Sequence, residues 1–340
     1  MICTPYQTLL QHSFERRIPF AVHWELTYRC NHDCVHCYAI SRNGGAELAL
    51  SEIESTLDEL VDLGTLFLVL TGGELWVRSD ALSILRLIHE RHFAYHVFTN
   101  GTLIDAAVAD VLATLYPYQV EISLFALEAE VHDRITRQRG SCQKAMQAVR
   151  MCRDRRVPVT VKVPVLRYNV DQYRAVAEFA LALGARCVFD YVLVPRDDRA
   201  PVMAEHGLSE PQMVAFIRRN QAGPMVPGQP PRPSDPLCGA GMNTLCISPT
   251  GNVYPCLAIR RPLGNIRHAS LKTIWRSEGF DIYRQLRYDQ LKECERCSLT
   301  GFCSRCMGLA DAESGDLLGH SELACMAARA AFRAAADFER

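Results

Sequence analysis

The chain has 340 residues, with 37 Lys and Arg against 38 Asp and Glu and a formal net charge of −1. That balance excludes the broad cationic surface of a general nucleic-acid binder, and 49% hydrophobic residues exclude a largely disordered chain. Fifteen cysteines, without a secretory leader pattern or a long uninterrupted apolar run, argue against a disulfide scaffold and a membrane span and point to metal ligation in a reducing, cytoplasmic setting.

Residues 1–19 read as an N-terminal extension. Apolar runs suited to buried parallel strands follow at Phe20–Leu26, Leu66–Leu70, Tyr95–Phe98, Gln119–Leu124, Val157–Leu166 and Arg186–Val194. Helical periodicity fills the gaps. Ser51-Glu52-Ile53-Glu54 reads as a capping box opening a helix that ends near Gly64. Further helices are expected at Ser79–His92, Asp105–Tyr116, Cys142–Arg155 and Asp171–Gly184. Six β-α units are fewer than the eight of a closed barrel, so the expected architecture is a partial (β/α)6 barrel over residues 20–220. Residues 221–236 are dense in Pro and Gly and read as a linker. A cysteine-rich segment follows at 237–330, with a strand at Leu245–Ile247 and a turn at Gly251-Asn252, and a helical tail at 331–340.

The cysteines cluster. Cys30, Cys34 and Cys37 have the form C-x3-C-x2-C after the first expected strand. Three thiolates on one loop can hold three irons of a cubane and leave the fourth open to a substrate. A zinc knuckle using His32 or His36 is the alternative. Eight more cysteines run from Cys238 to Cys325 in spacings that suit either iron–sulfur clusters or zinc ribbons. Cys3, Cys142, Cys152 and Cys187 have no ligand spacing.

The cysteine triplet followed by Tyr38 resembles the signature of the radical SAM superfamily. Thr71-Gly72-Gly73-Glu74, directly after the second strand, resembles that family's GGE motif. Glycines permit close backbone approach, and Glu74 offers an acceptor for an ammonium. Asn100 ends the third strand. Ser123, at the end of the fourth, is similar to the family's ribose-contacting serine. His132-Asp133-Arg134-Ile135-Thr136 resembles an H-D-x-x-R stretch, but Thr136 stands where arginine is common. Arg134 or Arg137 is therefore a candidate for the SAM carboxylate. The resemblance implies a [4Fe–4S] cluster on Cys30, Cys34 and Cys37, with Tyr38, Gly72, Gly73, Glu74, Asn100, Ser123 and Arg134 around S-adenosylmethionine (SAM). It implies reductive cleavage of SAM to a 5′-deoxyadenosyl radical that takes hydrogen from substrate.

The second group looks like a SPASM domain, with its C-x2-C-x5-C run ending one residue early at Cys306. By that resemblance Cys238, Cys246, Cys256 and Cys306 hold one auxiliary [4Fe–4S] cluster, and Cys294, Cys297, Cys303 and Cys325 another. The implied substrate is a ribosomally made peptide, with a small molecule or tetrapyrrole as the alternative and a zinc-binding interaction protein as the non-enzyme alternative. A sulfatase-maturing subtype would carry Asp after the cysteine of the G-x4-C motif, where Leu257 follows Cys256 here. The implied partner is an electron donor such as flavodoxin or ferredoxin; the cluster loop begins too early for a fused leader-binding domain, so either a separate leader-peptide-binding protein is expected or none is needed. No nucleic-acid or membrane partner is expected. Asp190 and Tyr191, near the last strand's end, are the candidates for a catalytic acid or base.

Overall fold

The computed structural model describes residues 4–39, 45–196, 202–220 and 227–336. Cys3 and residues 221–226 of the expected linker lie outside the described residues, as does the tail beyond 336.

Helix α1 (Pro5–Glu15) precedes strand β1 (Ala21–Thr27). The chain then alternates through α2 (Leu50–Asp62), β2 (Phe67–Gly72), α3 (Ala81–Glu90), β3 (Ala94–Thr99), α4 (Ala106–Leu115) and β4 (Gln119–Ser123). It continues through α5 (Ala129–Thr136), α6 (Ser141–Asp154), β5 (Val159–Pro164), α7 (Tyr173–Ala182) and β6 (Arg186–Asp190). Helices α8 (Val202–His206) and α9 (Glu210–Asn220) lead to short strands β7 (Thr244–Ile247), β8 (Asn252–Tyr254) and β9 (Gly264–Asn265). Helices α10 (Leu271–Trp275), α11 (Glu278–Arg284), α12 (Met307–Ser314) and α13 (Glu322–Ala336) complete the chain.

Strands β1 to β6 pair in parallel and in sequence order, as expected of a partial barrel. Each strand is two-sided. Val22, Trp24 and Leu26 on β1 join Ile53, Leu57 and Ile84 of the helices in the main core. The alternate positions turn to the concave side and carry polar groups. There His96 Nδ1 meets Glu121 Oε1 at 3.0 Å, and Lys162 Nζ lies 3.2 Å from Asp190 Oδ2.

Two expectations change. Helix α2 begins at Leu50 with Ala49 as its cap, two residues ahead of the expected box at Ser51. Glu52 Oε2 accepts from the Ala49 amide at 2.8 Å, so only the reach-back half of a capping box forms. The sheet also does not stop at the linker. β7 pairs in parallel with the free side of β1, from Ala21↔Thr244 to Trp24↔Ile247. β7, β8 and β9 then form an antiparallel extension, turned by Gly251 at φ +86. The C-terminal helix returns to the barrel as well. Arg329 and Arg333 of α13 reach Glu210 of α9 at 3.0 and 2.8 Å, and Ala330 and Ala334 enter the main core.

Candidate functional site

At the C-terminal ends of the strands lies a cavity of about 490 Å³, the position where α/β sheets gather ligands. Cys30, Cys34 and Cys37 line it together with Tyr38, Gly72, Gly73, Glu74, Asn100 and Ser123. The cysteine loop is pinned from two sides. The Gly73 amide donates to the Thr27 carbonyl at 2.7 Å and the Glu74 amide to the Arg29 carbonyl at 2.9 Å. On the other side the Val35 amide donates to the Ile135 carbonyl of α5 at 3.0 Å.

The glycines are explained by this pinning. A Cβ on Gly72 would sit 2.4 Å from the Thr27 carbonyl oxygen, and one on Gly73 2.2 Å from that of Arg29; Gly72 also has φ +113. The close approach these residues permit is to the base of the cysteine loop. Glu74 is 1% exposed. Its Oε1 accepts from Thr99 Oγ1 and its Oε2 from the Asn100 amide, both at 2.8 Å, which ties the end of β2 to the end of β3. Burial pushes its carboxyl up to about 7. Asn100 is a brace for the loop. Its Nδ2 donates to Asn31 Oδ1 at 2.8 Å, and its Oδ1 accepts from the Thr102 amide at 2.9 Å. Tyr38 Oη lies 3.4 Å from Thr71 Oγ1.

Arg134 does not reach the cavity. Its guanidinium lies 5.0 Å over the Tyr168 ring, while Arg137 pairs with Asp33 at 2.9 Å. The helical period gives the reason. The cavity face of α5 carries His132 and Thr136, four residues apart, and Arg134 lies on the other side of the turn.

The later cysteines fall into sets. Cys238, Cys256 and Cys306 are electrostatic neighbours, as are Cys294, Cys297, Cys303 and Cys325. Cys246 stands apart from the first set. It is fully buried on β7, with Sγ 3.9 Å from Glu25 Oε2 and 3.8 Å from Arg260 Nη1. Its position on the strand explains this: the β1–β7 and β7–β8 ladders turn it toward the concave face of the sheet.

The donor chemistry of these sets suits iron–sulfur clusters. Burial, with Cys37 and Cys30 beside it, raises Cys34, and burial pushes Cys256 up to about 12 with Cys238 and Cys306 adding to the effect. Crowded thiols ionise together when cations offset them. Among the described residues no group of three or more His, Cys, Asp or Glu could hold a single metal ion, so the thiols are neighbours without converging. Cys30, Cys34 and Cys37 could hold a cluster with an open position beside the cavity. The other two sets offer three and four thiols.

Asp190 and Tyr191 border a different cavity of about 240 Å³, shared with Val192, Phe302 and Ser304. Asp190 pairs with Lys162, and the Tyr191 ring packs 5.4 Å from that of Phe216. Sequence reasoning missed three groups. Buried Arg78 donates to the Leu26 and Leu48 carbonyls, each at 3.0 Å, and to Asp80 Oδ2 at 2.7 Å, fixing the segment that follows Glu74. Arg260 bridges Glu25 Oε2 at 2.9 Å and Tyr28 Oη at 2.7 Å inside the sheet. His132 lines the cysteine cavity. The signal for the strand residues was present: His23, Glu25, His96, Glu121 and Lys162 are polar at inward positions of otherwise apolar strands.

Residues 24–180 match the Radical SAM superfamily, and residues 238–298 match SPASM, an iron-sulfur cluster-binding domain. The antilisterial bacteriocin subtilosin biosynthesis protein AlbA of Bacillus subtilis is 30% identical over 310 residues, 86% of this chain and 68% of that protein. The chain belongs to the radical SAM superfamily. A PqqA peptide cyclase of Rhodopseudomonas palustris is 30% identical over 318 residues, covering 86% of this radical SAM chain and 84% of the cyclase. An AdoMet-dependent heme synthase of Methanosarcina barkeri is 27% identical over 331 residues, covering 88% and 94%. Among solved structures, Streptococcus suis SuiB bound to its precursor peptide SuiA superposes with a TM-score of 0.68 at 15% identity, covering 95% of this chain and 82% of SuiB; that likeness is one of fold.

Proposed function

We propose that this radical SAM enzyme modifies a peptide. The observation that carries the radical chemistry is the shared cavity: three cysteines, the Gly72-Gly73-Glu74 turn and Ser123 border one space at the ends of four strands. The peptide assignment is supported by relatives named for PqqA peptide cyclisation and subtilosin biosynthesis.

Cys30, Cys34 and Cys37 would hold a [4Fe–4S] cluster, and that cluster together with SAM would supply one-electron reduction and hydrogen-abstraction chemistry. The chain's own residues orient and enclose. Glu74 locks the ends of β2 and β3 under the cavity, and Gly72 and Gly73 hold the cysteine loop at backbone distance. Ser123 is the hydroxyl in this reading for the SAM ribose, and Tyr38 braces the loop against Thr71. Buried Phe125 and Ala39 keep water from one end of the cavity. The two later cysteine sets hold auxiliary clusters, one through Cys294, Cys297, Cys303 and Cys325 and the other through Cys238, Cys256 and Cys306. A flavodoxin or ferredoxin supplies electrons.

Anaerobic reconstitution followed by incubation with SAM, reductant and the precursor peptide encoded nearest the gene tests this. The expected result is a brown protein with about twelve irons and a SAM-dependent mass change on the peptide. The heme synthase relative favours a second reading, a tetrapyrrole substrate. A mass change on a tetrapyrrole with none on the peptide would select it. A colourless protein with stoichiometric zinc would overturn both.

A further inference from the structure

The two auxiliary thiol sets share one small apolar core. Ile259 and Met307 are buried in it, and Cys238 and Cys256 of the three-thiol set and Cys294 of the four-thiol set pack against it. The chain crosses from one set to the other through Cys303-Ser304-Arg305-Cys306. Arg305 is an electrostatic neighbour of Cys303 on one side and of Cys238 on the other, and Tyr288 neighbours all three. One guanidinium thus stands between both sets.

Its donors are only partly used. Nη2 donates to the Leu317 and Gly319 carbonyls, at 2.6 and 3.0 Å, which fixes the group in place. Nε and Nη1 are buried, and neither finds a partner among the described residues. A guanidinium always carries its charge and only donates. The N–H of Nε and both of Nη1 are therefore left without an acceptor, beside an apolar core where such a loss is costly. A cluster held by either thiol set supplies what is missing, since its sulfides and thiolates are acceptors of negative charge.

We propose that Arg305 donates N–H···S hydrogen bonds to both auxiliary clusters and so holds their reduction potentials up together. The reduced form of a cluster carries one more negative charge than the oxidised form. A fixed cation and its N–H donors therefore stabilise the reduced form more. The thiols of Cys30, Cys34 and Cys37 line a cavity that Arg305 does not border, so a cluster there should not respond. The inference rests on both later thiol sets carrying [4Fe–4S] clusters and is independent of which substrate the enzyme modifies.

The test is a dithionite redox titration of the reconstituted full chain, followed by electron paramagnetic resonance, without SAM or peptide. Arg305→Met keeps an unbranched stem and removes the charge and the donors. It should favour the oxidised form of both auxiliary clusters by about tenfold, a fall of about 59 mV in each midpoint, and leave the cluster on Cys30, Cys34 and Cys37 unmoved. Arg305→Lys keeps the charge but not the planar fork, and its midpoints should fall between those of wild type and the Met variant. Wild type grown on arginine with heavy nitrogen in the guanidinium alone should show nitrogen coupling to the reduced auxiliary clusters in electron–nuclear double resonance. That coupling should vanish in Arg305→Lys. Should the Met variant lose iron, the labelled wild type still decides. Unchanged auxiliary midpoints in an Arg305→Met protein of full iron content, or no guanidinium coupling in wild type, or a coupling that persists in Arg305→Lys, overturns the inference and leaves the clusters standing. Wild type with about four irons and no auxiliary signal overturns the auxiliary-cluster assignment and the inference together.

Discussion

Cys246 and Cys256 flank the same Gly251 turn, yet they face different surroundings. Cys246 lies against Glu25 and Arg260, and Cys256 lies with Cys238 and Cys306. Cys246→Ser should leave iron content and the cluster spectrum unchanged, whereas Cys256→Ser should lose about a third of the iron. Iron analysis with electron paramagnetic resonance after anaerobic reconstitution checks both. Spacing showed these cysteines as a set because ligand motifs are read along the chain. The face each one takes is set by β-pairing, which spacing does not carry. Glu74 supplies a second residue-scale prediction, for the cluster-free protein. Its carboxyl ionises near 4.5 when unfolded and near 7 when folded, because burial penalises the charge. The native state therefore holds the proton more tightly. Its contribution is full below pH 4.5, falls as pH rises, and is lost above pH 7. Glu74→Gln should flatten the fall in melting temperature between those two pH values, as calorimetric scans would show.

At the scale of elements, the end of β2 and the cysteine loop act as one piece. Gly73→Ala forces a Cβ to 2.2 Å from the Arg29 carbonyl oxygen, so the loop or the strand must shift. The expected outcome is destabilisation by more than about 2 kcal/mol, with iron lost first from the Cys30, Cys34 and Cys37 site. Thermal melts and site-resolved spectra measure the two effects. The glycine pair was legible in the sequence as a motif, but its contact partners Thr27 and Arg29 were not, since they lie at the end of β1 and in the loop after it, more than forty residues away in the chain. The same holds for α5. No helix was expected over Ala129–Thr136, and the phase that turns His132 inward and Arg134 toward Tyr168 came from packing. A gentler case is the α9–α13 clasp. Glu210→Ala should cost about 1 kcal/mol or less, because Arg329 and Arg333 are partly exposed, and its effect should shrink in high salt.

At the scale of the molecule, the six parallel strands were readable because each is an apolar run between turn signals. The linker at 221–236 and the segment after it were drawn from a change in composition, and composition says nothing about pairing. β7 follows that linker and completes the sheet beside β1, which opens the barrel. A chain truncated after residue 235 would expose the outer edge of β1 and strip Ala330 and Ala334 from the core. Such a fragment should aggregate on expression while the full chain stays dispersed, and light scattering would separate the two.

β1 is thus held between β2 and β7, and the loop it feeds carries Cys30, Cys34 and Cys37. On its other side the same ladder runs through β7 and β8 to Cys256. The spacing between the first thiol set and the auxiliary set is written into a hydrogen-bonded lattice. Electrons passing from one set to the other would tunnel over a fixed gap, so thickening the solvent with sucrose should leave their exchange rate unchanged.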